Sequence, residues 1–294
     1  MIGRPIIPAL AAIRDDHDEA LLRWSLGILG VYLLVMLVPI WQWTTRSGSL
    51  TAMVLHVIAS VIVALAYSGK IPEAPRHWMP LVVGPFLYIE LRWLIEGAGQ
   101  LHHDAVVSTW ERAAFPMNPS QSLVIAWPWM TLSEALHTAY LSYYALIFVP
   151  PALLWRRRGK GAFSATLLAL AVVYALCFTI YVLFPVDGPR FLHGPAAAPN
   201  GPIRSIVIAL LESGSSRGTA FPSSHVAASV VASVCALRFQ RPVGIVAALL
   251  TAGICIGAVY GGYHYAVDIL AGLLTGAVAI LIALTIENRT RATT

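Results

Sequence analysis

Eight apolar runs divide this chain, at about 24–43, 50–67, 78–95, 136–155, 163–184, 223–237, 243–259 and 265–286. A helix needs roughly 17–25 apolar residues to cross a bilayer, whereas a spanning strand needs only about 9–11. In lipid the backbone must satisfy its own hydrogen bonds, so runs of this length are helices. The expected fold is an all-α integral membrane protein with about eight transmembrane helices. Composition agrees: only 11% of the 294 residues are charged and 58% are hydrophobic. A soluble domain carries about twice that share of charge.

The net charge of +5 does not describe a nucleic-acid surface, because the basic residues sit in short clusters between apolar runs. Arg156-Arg157-Arg158-Gly159-Lys160, Arg238-Phe239-Gln240-Arg241 and Arg289-Thr290-Arg291 are orientation signals. One topology places all three in the cytoplasm together with both termini. It puts the Gly- and Pro-rich loop 185–222 on the extracytoplasmic side, and a loop of that length is expected to be functional or disordered. Cys177, Cys235 and Cys255 lie within apolar runs without metal-ligand spacing, so they read as buried hydrophobes and no disulfide is expected.

Residues 1–77 read as a polar tail or surface helix to about Arg23, followed by two spans. Residues 78–294 read as a six-helix unit. Glu90 and Arg92 fall inside the third run, which must therefore be lined there by protein or water. In segment 96–133, Asp104, Glu111 and Arg112 mix with Trp110, Phe115, Trp127 and Trp129, the pattern of an interfacial helix and loop. His102 and His103 are neighbours in sequence and do not share a helix face, so they read as solvated or headgroup-facing rather than as one metal site.

Two stretches carry the chemistry. Phe221-Pro222-Ser223-Ser224-His225 opens the sixth run, and Tyr263-His264-Tyr265-Ala266-Val267-Asp268 opens the eighth. Residues four apart on a helix lie one above the other, so the Asp268 carboxylate can take one ring N–H of His264 and fix its tautomer. The other nitrogen is then a nucleophile. Ser223 can cap its helix, whose first N–H groups form an anion site. Arg190, in Asp187-Gly188-Pro189-Arg190, supplies a planar fork for phosphate oxygens. With the topology above, all of these lie at extracytoplasmic ends. Tyr260, Tyr263 and Tyr265 line or roof such a site, or belong to the interfacial aromatic belt. The combination describes phosphoryl transfer without a metal. A transporter is the competing class, but transporter sites lie near the bilayer midplane, and these polar groups gather near one surface.

The motifs Gly-Pro-Arg, Phe-Pro-Ser-Ser-His and His-Tyr-x-x-Asp-x-x-x-Gly resemble those of the type 2 phosphatidic acid phosphatase superfamily, over the last six spans. The resemblance implies a six-helix phosphatase-type catalytic bundle after two N-terminal helices. It also implies a membrane lipid substrate, no cofactor, and a phosphohistidine formed on His264. Asp268 would then orient that histidine, His225 would protonate the leaving alcohol, and Arg190 and Ser223 would bind phosphate. Ser224 is a further phosphate-binding candidate beside Ser223. Three positions depart from the family pattern: Leu183 stands for its lysine, and Gly257 and Ala258 for its Ser-Arg pair. These losses, with the segment from Asp104 to Pro119-Ser120, are similar to the branch of inositol phosphorylceramide synthases, which transfer a phospho-headgroup between lipids. Arg217 and Arg204 are candidates to restore the missing positive charge.

Overall fold

A computed structural model describes residues 6–293, and every regular element in it is a helix. In chain order these are α1 Ile6–Ser47, α2 Thr51–Tyr67, α3 Glu73–Ala98, α4 Asp104–Ala114, α5 Pro119–Ala126, α6 Met130–Leu141 and α7 Tyr143–Arg157. They continue with α8 Lys160–Leu183, α9 Pro189–His193, α10 Pro202–Gly214, α11 Ser224–Phe239, α12 Arg241–Tyr260 and α13 Ala266–Thr293. Among the described residues, five helices (α1, α3, α8, α12 and α13) are long and apolar enough to cross a membrane, and α6 with α7 forms a sixth span bent by 48°. The other two apolar runs, α2 and α11, are helices of 17 and 16 residues. The protein is thus an integral membrane protein with five or six candidate spans.

Helix α8 is the axis. It is apolar on all sides, which suits a helix surrounded by others, and Phe163, Leu168, Val173, Cys177, Phe178 and Tyr181 are all fully or almost fully buried. α1, α3, α7, α11 and α13 pack around it. α11 and α13 approach closely through small residues, as membrane helices commonly do. A Cβ on Gly272 would lie 2.6 Å from the Ser223 carbonyl oxygen, so Gly272 allows the helix of Asp268 to touch the helix of His225.

The helices alternate in direction, giving the bundle two distinct ends. At one end Glu19 pairs with Arg76, Lys160 with Glu73, and Arg238 with Glu287 at 2.6 Å. At the other end Trp43 donates to Glu96 at 3.0 Å, and His103 N–H donates to the Pro185 carbonyl at 2.8 Å. There too, Ser223 N–H donates to the Asp268 backbone carbonyl at 3.0 Å. Both sequence stretches that carry chemistry, and Arg190 with them, lie at this second end.

Two expectations need correction. Residues 1–5 of the expected tail lie outside the described residues; from Ile6 to Trp24 there is no separate tail or surface helix, because α1 runs on unbroken, with Asp18, Leu21 and Leu22 buried against neighbouring helices. The fourth run is not one straight span. At Ser142 the N–H reaches both Thr138 and Ala139 carbonyls, and the hydroxyl takes Ala139 as well, which tightens the turn and breaks the helix. Of the two alternatives for the long loop, disorder is not the one seen: it contains α9 and α10. The expectation for Glu90 holds: it is fully buried, with His56 Nδ1 at 2.7 Å, and His56 Nε2 lies 2.9 Å from the Leu33 carbonyl.

Candidate active site

The α12–α13 turn sets His264. Its backbone N–H and that of Tyr263 both donate to the Ala258 carbonyl, at 3.2 and 3.0 Å. His264 is 6% exposed, and its ring Nδ1 lies 3.0 Å from the Ala220 carbonyl and 3.4 Å from Asp268 Oδ2. A carbonyl only accepts, so Nδ1 carries the proton and Nε2 presents its lone pair. Ser223 Oγ is 3.4 Å from Nε2. The tautomer is therefore held by two acceptors, of which the peptide carbonyl is the nearer. Asp268 also closes its own helix start: Oδ2 accepts the Tyr265 N–H at 2.9 Å, the reach-back half of a capping box. Its Oδ1 is buried without a partner.

The second histidine sits on the first turn of α11. Ser223 is the N-cap, its hydroxyl accepting from Val226 N–H at 3.5 Å. Tyr181, on α8, locks the corner before it: its hydroxyl donates to the Pro222 carbonyl at 2.8 Å and accepts from Ser224 N–H at 3.0 Å. Ser224 is thereby engaged through its backbone. The His225 ring stacks on Tyr140 (centroids 5.1 Å, 16°) and abuts Tyr143 at 4.2 Å, and its centroid is 6.2 Å from that of His264.

Arg190 enters from α9. Its guanidinium lies 4.2 Å over the Phe191 ring and contacts the Ser215 hydroxyl. The segment before it is lashed down at several points. Asp104 accepts the N–H groups of Asp187 and Gly188, both at 2.9 Å. Asp187 Oδ1 accepts from His102 Nδ1 at 2.7 Å and Gly218 N–H at 2.9 Å, and Oδ2 from Arg217 Nε and Nη2 at 3.0 and 2.6 Å. Gly188 has φ +86°, and a Cβ there would meet the Ala220 side chain at 2.9 Å, so only glycine fits. A parallel bridge joins Val186 to Thr219, and Ala220 N–H donates to the Val186 carbonyl at 2.8 Å. The carbonyl that orients His264 thus belongs to a strand-like segment pinned to the Arg190 motif.

Several candidates stand elsewhere. Arg217 is paired with Asp187, outside the cavity between the histidines. Arg204 is buried and tethers its own loop, donating to Asn200 at 2.9 Å and the Ala196 carbonyl at 2.6 Å. His102 is not simply solvated, since it is bound to Asp187, and His103 stacks on Phe184 at 4.1 Å. His102, Asp104 and Asp187 each bring a ligand-type atom within 4.8 Å of one another. Their carboxylate oxygens nevertheless all accept N–H donors already, one of them a guanidinium, so the donor set does not suit a cation. Glu111 has a role that its reading as an interfacial residue missed: both its oxygens accept the first N–H groups of α13, from Ala266 and Val267, each at 3.0 Å. Asp104 and Glu111 are seven residues apart on one face of α4, and that spacing was the available signal. Nothing in the sequence marked Tyr181 or the Ala220 carbonyl.

Arg190, His225, His264 and Tyr263 share a cavity of about 30 Å³ with Tyr88, Tyr140 and Ser215. Tyr88, Ser215 and His225 also border an apolar chamber of about 390 Å³ lined by Tyr143, Tyr144, Ile147 and Phe148. On the other side, His264 borders a recess of about 410 Å³ that combines Asn118, Ser120, Gln121 and His193 with Val124, Ile125 and Pro195. A lone histidine facing such spaces is often structural. Here a fixed tautomer, a buried carboxylate, a second histidine and an arginine converge, which is the pattern of a nucleophile with its supporting groups.

No curated protein and no solved structure matches the chain. The family model of the PAP2 superfamily matches residues 105–282, which take in Glu111 of α4, Arg190, both histidines and Asp268. That match covers more than half of the chain and all of the converging groups, and it makes this protein a member of the PAP2 superfamily.

Proposed function

We propose that the protein is a membrane lipid phosphatase or phosphotransferase that works through a phosphohistidine on His264. Superfamily members are typically phosphatases or phosphotransferases. The observation that carries the reading is the His264 ring itself: Nδ1–H is held by the Ala220 carbonyl and Asp268, and Nε2 is left toward the side of Ser223. Nε2 attacks phosphorus, and the bond from phosphorus to the lipid oxygen breaks. His225 gives its proton to the departing alkoxide, and the Asp268 carboxylate balances the positive imidazole. Water or a second alcohol, deprotonated by His225, then attacks phosphorus and releases it from Nε2. Arg190 and the His225 N–H at the start of α11 stabilise charge on the phosphoryl oxygens.

The cavity between the histidines is small, so a phosphoryl group enters by displacing Ser215 from Arg190. The apolar chamber beside His225 suits the lipid part of the leaving group. In this reading the chain crosses the membrane eight times, the basic end is cytoplasmic with both termini, and the site faces the extracytoplasmic side.

A second reading within the same chemistry is transfer of a phospho-headgroup between lipids. The second recess, beside His264, supports it by its room. A phosphomonoester has nothing to place beside His264 once its phosphorus is bound, whereas a diester keeps one substituent there. Full-length protein in detergent, given ³²P-labelled phosphatidic acid, polyprenyl phosphate and phosphodiester lipids, tests both. Turnover of any of these should vanish in His264→Ala and persist weakly in Asp268→Asn. His225→Ala should be least impaired on p-nitrophenyl phosphate, whose leaving group needs no proton. Near wild-type turnover by His264→Ala would end the proposal.

A further inference from the structure

We infer that Tyr263 is a further catalytic residue: its phenol donates a hydrogen bond to an oxygen of the phosphoryl group bound between His264 and His225. This rests on the phosphoryl-transfer reading above and adds to it the donor that stands in for the cations missing at Leu183 and Ala258. Tyr263 precedes the nucleophile, is 4% exposed, and lines the small cavity with Arg190, His225 and His264. Its ring is fixed on three sides. Tyr140 lies at 5.0 Å, the edge of His137 at 5.8 Å, and Gly261 lies so close that a Cβ there would fall 2.4 Å from the ring.

The hydroxyl held by this packing is buried and has no partner in the chain. A buried hydroxyl without a hydrogen bond is costly, and phenylalanine would fill the same space without that cost. Tyr32 and Tyr265 also have buried, unpartnered hydroxyls, but neither lines the cavity of the two histidines. The charges of Arg190 and Arg204 both act on the Tyr263 phenol, so its oxygen stands in the field of the arginine that faces the cavity. Burial pushes its pKa up to about 12. It is therefore a neutral donor at neutral pH. A phosphoryl oxygen is the acceptor that this geometry lacks, and a fixed donor aimed where charge develops is an effective form of transition-state stabilisation.

Tyr263→Phe separates this role from a structural one, because the two predict opposite signs. The full chain is purified in detergent, p-nitrophenyl phosphate turnover and thermal unfolding are measured, and inorganic vanadate binding is followed by calorimetry. Loss of one such donor should lower kcat/KM about 100-fold and weaken vanadate binding, while the unfolding midpoint stays level or rises. Unchanged kcat/KM overturns the assignment, and so does a fall in activity accompanied by a lower midpoint and unchanged vanadate affinity. If His264→Ala is as active as wild type, or wild type shows no turnover, the phosphoryl-transfer reading fails on its own. Vanadate binding still decides on Tyr263 in that case, and equal affinity of wild type and Tyr263→Phe overturns it.

Discussion

Asp187 offers a graded test of how the site is assembled. Its buried carboxylate holds four donors: His102, the Gly218 N–H and two nitrogens of Arg217. Asparagine keeps one accepting oxygen. Turned so that this oxygen takes the Oδ1 position, it retains His102 and Gly218 and sets its amide against Arg217. The Arg217 side chain is 63% exposed, so water screens that pair and its loss costs only about 0–1 kcal/mol. Alanine removes every acceptor. The buried Gly218 N–H is then unsatisfied at about 1–3 kcal/mol, and the His102 bond adds about 1 kcal/mol. Asp187→Asn should therefore cost about 1 kcal/mol and Asp187→Ala about 2–5 kcal/mol. Unfolding in detergent, followed by tryptophan fluorescence, ranks the two. Turnover of p-nitrophenyl phosphate should fall in the same order, since Ala220 and Arg190 are both placed through this segment. If alanine proves no worse than asparagine, or if both unfold earlier while turnover per folded molecule is unchanged, the reasoning is refuted.

Glu111→Ala should destabilise by about 1–2 kcal/mol through loss of the α13 cap and reduce turnover more than Glu111→Gln, which keeps one acceptor; equal effects would show that the cap does not position His264. Tyr181→Phe removes a hydroxyl that serves the Pro222 carbonyl and the Ser224 N–H, and should cost about 1–2 kcal/mol; an unchanged unfolding midpoint would contradict the role given to it. Because the oxygens of Asp104 and Asp187 are engaged by N–H donors, EDTA should leave turnover unaltered, and reversible inhibition restored by a divalent cation would show that a metal takes part.

What the sequence revealed and what it hid divide along physical lines. Apolar runs long enough to span a bilayer announce themselves, so α1, α3, α8, α12 and α13 were legible, as was the capping serine before α11. The spacing of His264 and Asp268 was legible because helical periodicity brings residues four apart together. The break at Ser142 was hidden, since it depends on one hydroxyl turning back on its own helix. The tethers were hidden for a different reason. Asp104 with Asp187, Glu111 with Ala266, and Tyr181 with Pro222 join residues far apart in sequence, and no local pattern carries such pairs. Arg217 and Arg204 show the converse: sequence gave their charge, but only the fold shows that Asp187 and the 196–200 segment already hold them.

The missing family cations are built into the packing. Gly257 lies where a Cβ would come within 2.6 Å of the Leu136 carbonyl oxygen, so any side chain there would push α12 away from α6. Ala258 is fully buried, and its carbonyl anchors the turn that carries His264. Leu183, at the end of α8, is 63% exposed and outside the cavity of the histidines. Arginine at 257 or 258 cannot be restored without separating the helices that place the nucleophile. The cavity is left with Arg190, the roughly half-charge of a helix start and, when it carries the proton it donates, His225, with the Asp187 carboxylate on the same wall. A phosphomonoester brings about −1.5 to −2 charges at neutral pH. A diester brings only one, and a neutral phenol such as Tyr263 can serve its remaining oxygen without adding charge. In the proposed reading, the loss of the family cations and the room beside His264 point the same way, to a lipid whose phosphate is substituted on both sides.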